Sequence, residues 1–215
     1  MKPFLLNSRF YIIFTLLLLY PANYLSGIIH SCVELIPHNS YIYQIFSIGL
    51  AQSPTVVVIL GIAFWLTNNY LWRISLVKKI FRLKDINGRY EGNLISSYTK
   101  DDQQNGTYPV VIEISQNLTS IHVNLFTERS CSYSLIANIC QNHIGNKELV
   151  YVYQNKTAAM GDDSDMKDHN GTAFLEIDDE GNKLKGNYFN NPRERGRYGQ
   201  IEVKKIAQRL IGKFS

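Results

Sequence analysis

The sequence predicts an eight-stranded, up-and-down antiparallel β-barrel, minimal and lipocalin-like, preceded by an α-helical hairpin of two membrane spans. Three observations lead there. Two long stretches without a charged side chain, 10–29 and 45–66, lie before residue 70. Helical apolar spacing gives way to strict alternation at Gly88. The charges are also divided unevenly: residues 1–85 hold seven Lys and Arg against two acids, net +5, whereas residues 86–215 hold 15 bases and 16 acids. The basic character of the chain therefore belongs to the apolar half. It does not argue for a DNA- or RNA-binding face on the β half.

Each uncharged stretch suits a hydrocarbon core of about 30 Å, which takes about 20 helical residues. Pro21 and Asn23 interrupt the first, and Gln52, Ser53 and Pro54 lie near the start of the second. Tyr41, Tyr43, Trp65, Tyr70 and Trp72 flank the second stretch as interfacial aromatics do. Lys2 and Arg9 before the first span also fit a signal peptide, but a second apolar stretch follows closely and no small-residue cleavage site precedes it. The intervening loop, 30–40, has no Lys or Arg, so the positive-inside rule puts both termini and the β domain in the cytoplasm. Residues 1–70 are thus the membrane region.

Residues 71–86 link the two halves and carry Arg73, Lys78, Lys79, Arg82 and Lys84 against the single acid Asp85. Trp72, Leu76, Ile80 and Leu83 recur at helical spacing, which predicts a basic amphipathic helix anchored at lipid headgroups and coupling the domain to the spans.

In the β domain, 87–206, alternation marks strands at 88–96, 110–117, 120–128, 130–136, 148–154, 171–178, 183–190 and 198–203. Short connections favour a meander, and closing it into a barrel removes both edges and encloses space for one small ligand; a sandwich is the competing topology. Gly171 and Gly186 inside strand patterns mark a bend or a close backbone approach. The tail, 207–215, reads as a short helix or a frayed end.

Catalytic and metal motifs do not emerge. The five histidines are scattered, and Cys32, Cys131 and Cys140 lack metal-ligand spacing. The acidic loop 155–170 lacks the glycine and glutamate positions of a calcium loop. The chain is accordingly read as a non-enzyme with no metal and no cofactor. Two features point to a ligand instead. Arg193, Arg195 and Arg197 fall within five residues, and guanidinium groups take phosphate bidentately. Tyr90, Tyr151, Tyr153, Tyr188 and Phe189 are aromatic faces of the kind that stack on bases.

Taken in order, the paired spans, Asn87-Gly-Arg-Tyr-Glu-Gly, Leu149-Val-Tyr-Val-Tyr-Gln-Asn, His169-Asn-Gly-Thr-Ala, Leu184-Lys-Gly-Asn-Tyr and Gly199-Gln-Ile resemble the two-transmembrane β-barrel effectors of bacterial CBASS antiphage systems, also described as SMODS-associated. The resemblance covers nearly the whole chain. It implies a cytoplasmic barrel on the bacterial inner membrane that binds a cyclic dinucleotide, self-associates and disrupts the bilayer in abortive infection. Candidate ligand contacts are Tyr90 and Tyr151 by stacking, Arg193, Arg195 and Arg197 by phosphate binding, and His169 and Asn187 from the segments that carry the resemblance.

Two other readings stay open. One is a membrane-tethered, lipocalin-like carrier of a lipid or other hydrophobic molecule. The other inverts the topology, since Asn105, Asn117, Asn155 and Asn170 each begin a glycosylation triplet.

Overall fold

The computed structural model describes residues 2–3, 8–52, 55–80, 84–97, 106–157, 168–191 and 197–214. The chain divides into two compact units: Leu6–Ile74, and a second made of Met1–Leu5 with Ser75–Ser215.

The first unit is helical. Helix α1, Ser8–Glu34, has 27 residues, about 40 Å at 1.5 Å per residue. Its portion Thr15–Glu34 is long and apolar enough to cross a bilayer. In the second apolar stretch the described residues are helical on both sides of Ser53 and Pro54, as α2, Tyr41–Gln52, and α3, Thr55–Asn69, and Ser53 and Pro54 themselves lie outside the described residues. Within the unit α1 packs against α2 and α3. Leu16, Leu17 and Tyr20 on α1, with Val57, Ile62 and Trp65 on α3, stay exposed. Side-chain polar groups turn back onto their own helices, as in the 2.8 Å bond from Thr67 Oγ1 to the Ala63 carbonyl.

Residues 71–86 do not form the single amphipathic helix expected. A 3-10 turn, Leu71–Arg73, ends at Ile74, whose backbone is extended (φ −63°, ψ 133°), and α4, Ser75–Ile80, begins after it; residues 81–83 lie outside the described residues. Trp72 is buried while Leu76 is 65% exposed, so the apolar stripe is broken. Arg82 lies outside the described residues. Lys78 is ion-paired with Asp85 at 3.0 Å.

The second unit is a closed barrel. Strands β2 (Gly88–Ser96), β3 (Gly106–Gln116), β4 (Ile121–Phe126), β5 (Ser130–Gln141), β6 (Lys147–Thr157), β7 (His169–Ile177), β8 (Lys183–Asn190) and β9 (Tyr198–Ala207) each pair antiparallel with the next, and β9 returns to β2. The up-and-down order expected from short connections is therefore the observed one. Strand β5 outruns β4, and a two-residue strand β1 (Lys2–Pro3) pairs with the exposed remainder at Cys140 and Gln141. Alternate residues point inward and build one core, including Ile112, Ile114, Val123, Leu149, Leu175, Leu184, Ile201 and Val203. Burial of each such aliphatic side chain is worth about 1.5–3 kcal/mol.

One end of the barrel is sealed by the chain as it arrives from α4. Gln116 Oε1 accepts the Ile86 N–H at 3.0 Å, Gln116 Nε2 donates to the Lys84 carbonyl at 2.9 Å, and Asn87 Oδ1 accepts the Gln116 N–H at 2.6 Å. The Tyr90 hydroxyl bonds the carbonyls of Ile86 and Gly181 at 3.0 and 2.8 Å.

The C-terminal tail is neither helical nor frayed. Arg89 and Glu113 are direct cross-strand partners on the outer face, 2.9 Å apart and almost fully buried. Arg89 also donates to the carbonyls of Lys213 and Phe214 at 2.8 and 2.6 Å, while Glu113 accepts the N–H groups of Ile211 and Gly212 at 2.8 and 3.0 Å. Burial pushes the Glu113 carboxyl up, but the N–H of Ile211, the Arg89 guanidinium and the N–H of Gly212 together outweigh it and hold its pKa below the ordinary 4.5.

A folded-state pKa that is lowered stabilises the fold above the unfolded value and loses that contribution as pH falls through the folded value. Glu113→Gln is expected to destabilise the barrel by about 3 kcal/mol at neutral pH, because Arg89 loses its buried counter-charge and keeps only the exposed Glu91 as an anionic partner among the described residues. Denaturant titrations read by near-UV circular dichroism should show the gap between wild type and variant narrowing below pH 4.5. A gap that is constant with pH would remove Glu113 from this role.

Candidate ligand cavity

Opposite the sealed end the barrel holds a cavity of about 210 Å³. Its geometry follows from period-two alternation along β6. Leu149, Tyr151, Tyr153 and Asn155 all point inward, so the wall changes from aliphatic through aromatic to amide in four successive inward positions. Leu94, Leu125 and Ile201 add apolar lining, and Tyr108 and Tyr188 add aromatic lining. Thr127, Glu128, Arg129, His169, Asn190 and Arg197 come from the strand ends and the β4–β5 turn at the mouth. The β2–β3, β6–β7 and β8–β9 connections at this end include residues outside those described.

Two glycines make room for the tyrosines. Gly171 faces Tyr153 across the β6–β7 pair, and Gly199 faces Tyr188 across β8–β9. A Cβ at Gly171 would overlap the Tyr153 ring and come within 2.6 Å of the Phe189 carbonyl oxygen. At Gly199 it would overlap the Ile95 carbonyl oxygen and come within 2.6 Å of Tyr188 Cε1. Each ring therefore lies over bare backbone, as aromatic side chains do when they cover a strand glycine.

The Tyr153 hydroxyl donates to Asn190 Oδ1 at 2.7 Å, and its ring meets His169 edge-on with centroids 6.5 Å apart. Burial pushes the Tyr151 and Tyr153 hydroxyls upward, with a further upward push on Tyr153 from Tyr151 and Tyr188. Burial also raises Tyr188, against the hydrogen bond with Ser96 and the positive charge of Arg197. The phenols thus remain neutral hydroxyls at physiological pH and set no negative charge against an anionic ligand. Asn155 is 5% exposed, and its Nδ2 finds no hydrogen-bond acceptor among the described residues.

Of the residues singled out in the sequence, Tyr151, His169 and Arg197 are brought together here. Tyr90 is buried at the sealed end with its hydroxyl on two carbonyls. Asn187 is exposed on the outer face of β8, because alternation turns Tyr188 inward. Arg193 and Arg195 lie outside the described residues, as does most of the acidic loop. Among the other aromatics, Tyr153 and Tyr188 line the cavity, whereas Phe189 is exposed and meets Phe174 edge-on. Asn155, Asn190, Tyr108 and Arg129 were not singled out as ligand contacts. Extending the β6 alternation one inward step beyond Tyr153 finds Asn155, which had been assigned to the loop.

A barrel sealed at one end, with tyrosines and aliphatic side chains lining its cavity and Arg129 and Arg197 at the mouth, has the form of a small-molecule pocket. Residues 81–205, more than half of the chain, match the family described as Cap15, cyclic dinucleotide receptor domain. The chain belongs to that family. It is also similar to CD-NTase-associated protein 15 of Yersinia aleksiciae, with 25% identity over 149 residues, 69% of this chain and 68% of that protein.

Gly199→Ala is expected to destabilise the barrel by about 1–3 kcal/mol and displace the Tyr188 ring. Thermal melts and the near-UV tyrosine spectrum should both change. An unaltered melt with an unaltered spectrum would mean that the wall does not depend on bare backbone there.

Proposed function

We propose that the chain is a membrane-anchored effector of a CBASS antiphage system whose barrel binds a cyclic dinucleotide. The observation that carries this reading is the cavity: an uncharged aromatic interior opening between Arg129 and Arg197 suits flat bases inside and phosphates at the rim. Family membership supports the same ligand class. The site supports recognition, with tyrosines and amides offering hydrogen bonds and ring faces; ligand binding, not catalysis, is the proposed activity. The apolar lining of Leu94, Leu125 and Ile201 favours the hydrophobic-ligand alternative. A retained acyl chain in native mass spectrometry would put that alternative first.

Helix α1 supports a membrane anchor. Strand β1 and helix α4 belong to the same unit, so the helical segment departs from the barrel unit and comes back to it. A segment that leaves and returns crosses a bilayer an even number of times if it crosses at all. The basic flanks then favour a cytoplasmic barrel with both termini on its side of the inner membrane. Ligand binding promotes self-association, and the gathered helices disturb the bilayer.

Calorimetry on the full-length protein in detergent is expected to detect binding from a panel of cyclic dinucleotides. Arg197→Ala should weaken it about tenfold, the 1.4 kcal/mol of one charge-assisted contact, and reduce its salt dependence. No heat from any panel member would end the receptor reading.

Replacing Lys78, Lys79, Arg82 and Lys84 together with Gln is expected to lower dye release from phosphatidylglycerol-containing vesicles more than it lowers ligand affinity. Equal losses would make these residues structural only. Sedimentation in detergent with and without ligand reads self-association, and an unchanged coefficient would reject it.

A further inference from the structure

We infer that the barrel admits a single base of the cyclic dinucleotide and that Asn155 reads it as a carbonyl-bearing base. The inference rests on the functional reading above and adds how the site tells one ligand from another.

The first argument is size. An apolar cavity of about 150 Å³ holds benzene, whereas pockets that enclose a drug-sized ligand begin at about 300 Å³. At about 210 Å³ the cavity has room for one base of one or two rings and not for two bases joined by a sugar–phosphate ring. The second base and the phosphodiesters stay at the mouth. There two guanidinium groups, Arg129 and Arg197, stand against one carboxylate, Glu128, among the described lining residues.

The second argument is an unused donor. Asn155 is 95% buried, lines the cavity, and holds an Nδ2 group without an acceptor among the described residues. A buried N–H left without a partner costs about 1–3 kcal/mol, and of the three buried side-chain atoms without one among the described residues, Trp72 Nε1, Asn138 Oδ1 and Asn155 Nδ2, it is the last that lines the cavity, where a ligand can supply the acceptor. Asn190 completes the pattern. Its Oδ1 already accepts the Tyr153 hydroxyl, and its Nδ2 adds a second amide donor at the mouth. Two amide donors suit an edge rich in acceptors, as on guanine or uracil, over adenine, whose exocyclic amine is itself a donor.

Full-length protein in detergent is titrated with cyclic di-GMP, cyclic di-UMP, cyclic di-AMP, and the mixed cyclic GMP–AMP and cyclic UMP–AMP. If one base is read, exchanging one of two carbonyl bases for adenine halves the number of productive orientations and costs about twofold. Exchanging both costs about tenfold or more, the loss of a hydrogen bond of about 1.4 kcal/mol.

Asn155→Leu, close in size, should flatten this ranking. It should leave the ligand-free melting temperature unchanged or raised, because it removes a buried unsatisfied group. Asn155→Ala serves as the second variant, with the same flattened ranking expected.

Cyclic di-AMP as the tightest ligand, equal losses at the first and second exchange, or an Asn155 variant that weakens all five ligands alike would each overturn the inference while leaving the receptor reading intact. Absence of binding to wild type by all five would overturn both.

Discussion

The pairing of β9 with β2 is the constraint on which the rest of this domain depends. Once the sheet closes, alternate residues of eight strands are committed to one enclosed space, and each inward side chain must be packed, hydrogen-bonded or exposed to a cavity. At the sealed end the aliphatic positions and Tyr90 fill that space, with the Tyr90 hydroxyl used up on two carbonyls. Toward the mouth, rings lie back over Gly171 and Gly199, so the same closure leaves a cavity. Filling and hollowing are thus two outcomes of one alternation, the first built from aliphatic side chains and Tyr90, the second walled by rings that lie over glycine backbone.

This view shows why the barrel was legible in the sequence and the site only in part. Alternation marked all eight strands, and β8 matches its expected bounds, because period two reports burial on one face directly. Strand ends were less visible. Strand β5 runs to Gln141 and β6 to Thr157, past the expected 136 and 154, since paired backbone continues where side chains no longer alternate in polarity. That difference hid Asn155, a polar residue on the inward face, which from composition alone belonged to the acidic loop. Tyr90 illustrates the converse. An aromatic suits both a core and a ligand wall, and only the three-dimensional position of Gly181 puts its hydroxyl at the sealed end. Gly186, read as a bend or a close approach, is a close approach: a Cβ there would overlap the Phe174 carbonyl oxygen.

The basic segment shows a different limit. Its apolar spacing is helical, yet Ile74 is extended between the 3-10 turn and α4, so periodicity over a few residues does not decide continuity. What joins the segment to the barrel is a polar network from Lys84 to Asn87, centred on Gln116. Burial raises the Asp85 carboxyl, but the bonds from Lys78 and Asn87 lower it by more, so it stays an anion linking α4 to the seal. The cavity and this seal occupy opposite ends of the barrel. Any effect of a ligand on the segment must therefore travel through the strands that connect them, with β2 running directly from the seal to the cavity residues Leu94 and Ser96.

The distribution of satisfied polar groups separates the two ends further. Arg89 and Glu113, though buried, have their charges met by each other, by Glu91 and by four backbone groups of the tail. Such an arrangement holds shape and leaves nothing for a ligand. At the cavity, by contrast, Asn155 keeps a buried N–H with no acceptor among the described residues, in a wall of neutral rings and aliphatic side chains. Three buried side-chain atoms among the described residues have no partner, Trp72 Nε1, Asn138 Oδ1 and Asn155 Nδ2, and of these it is Asn155 Nδ2 that lines the cavity, where a ligand can meet it. The Arg89–Glu113 pair is thus closed to a ligand by its own hydrogen bonds, whereas the Asn155 amide is open to one because it faces the cavity.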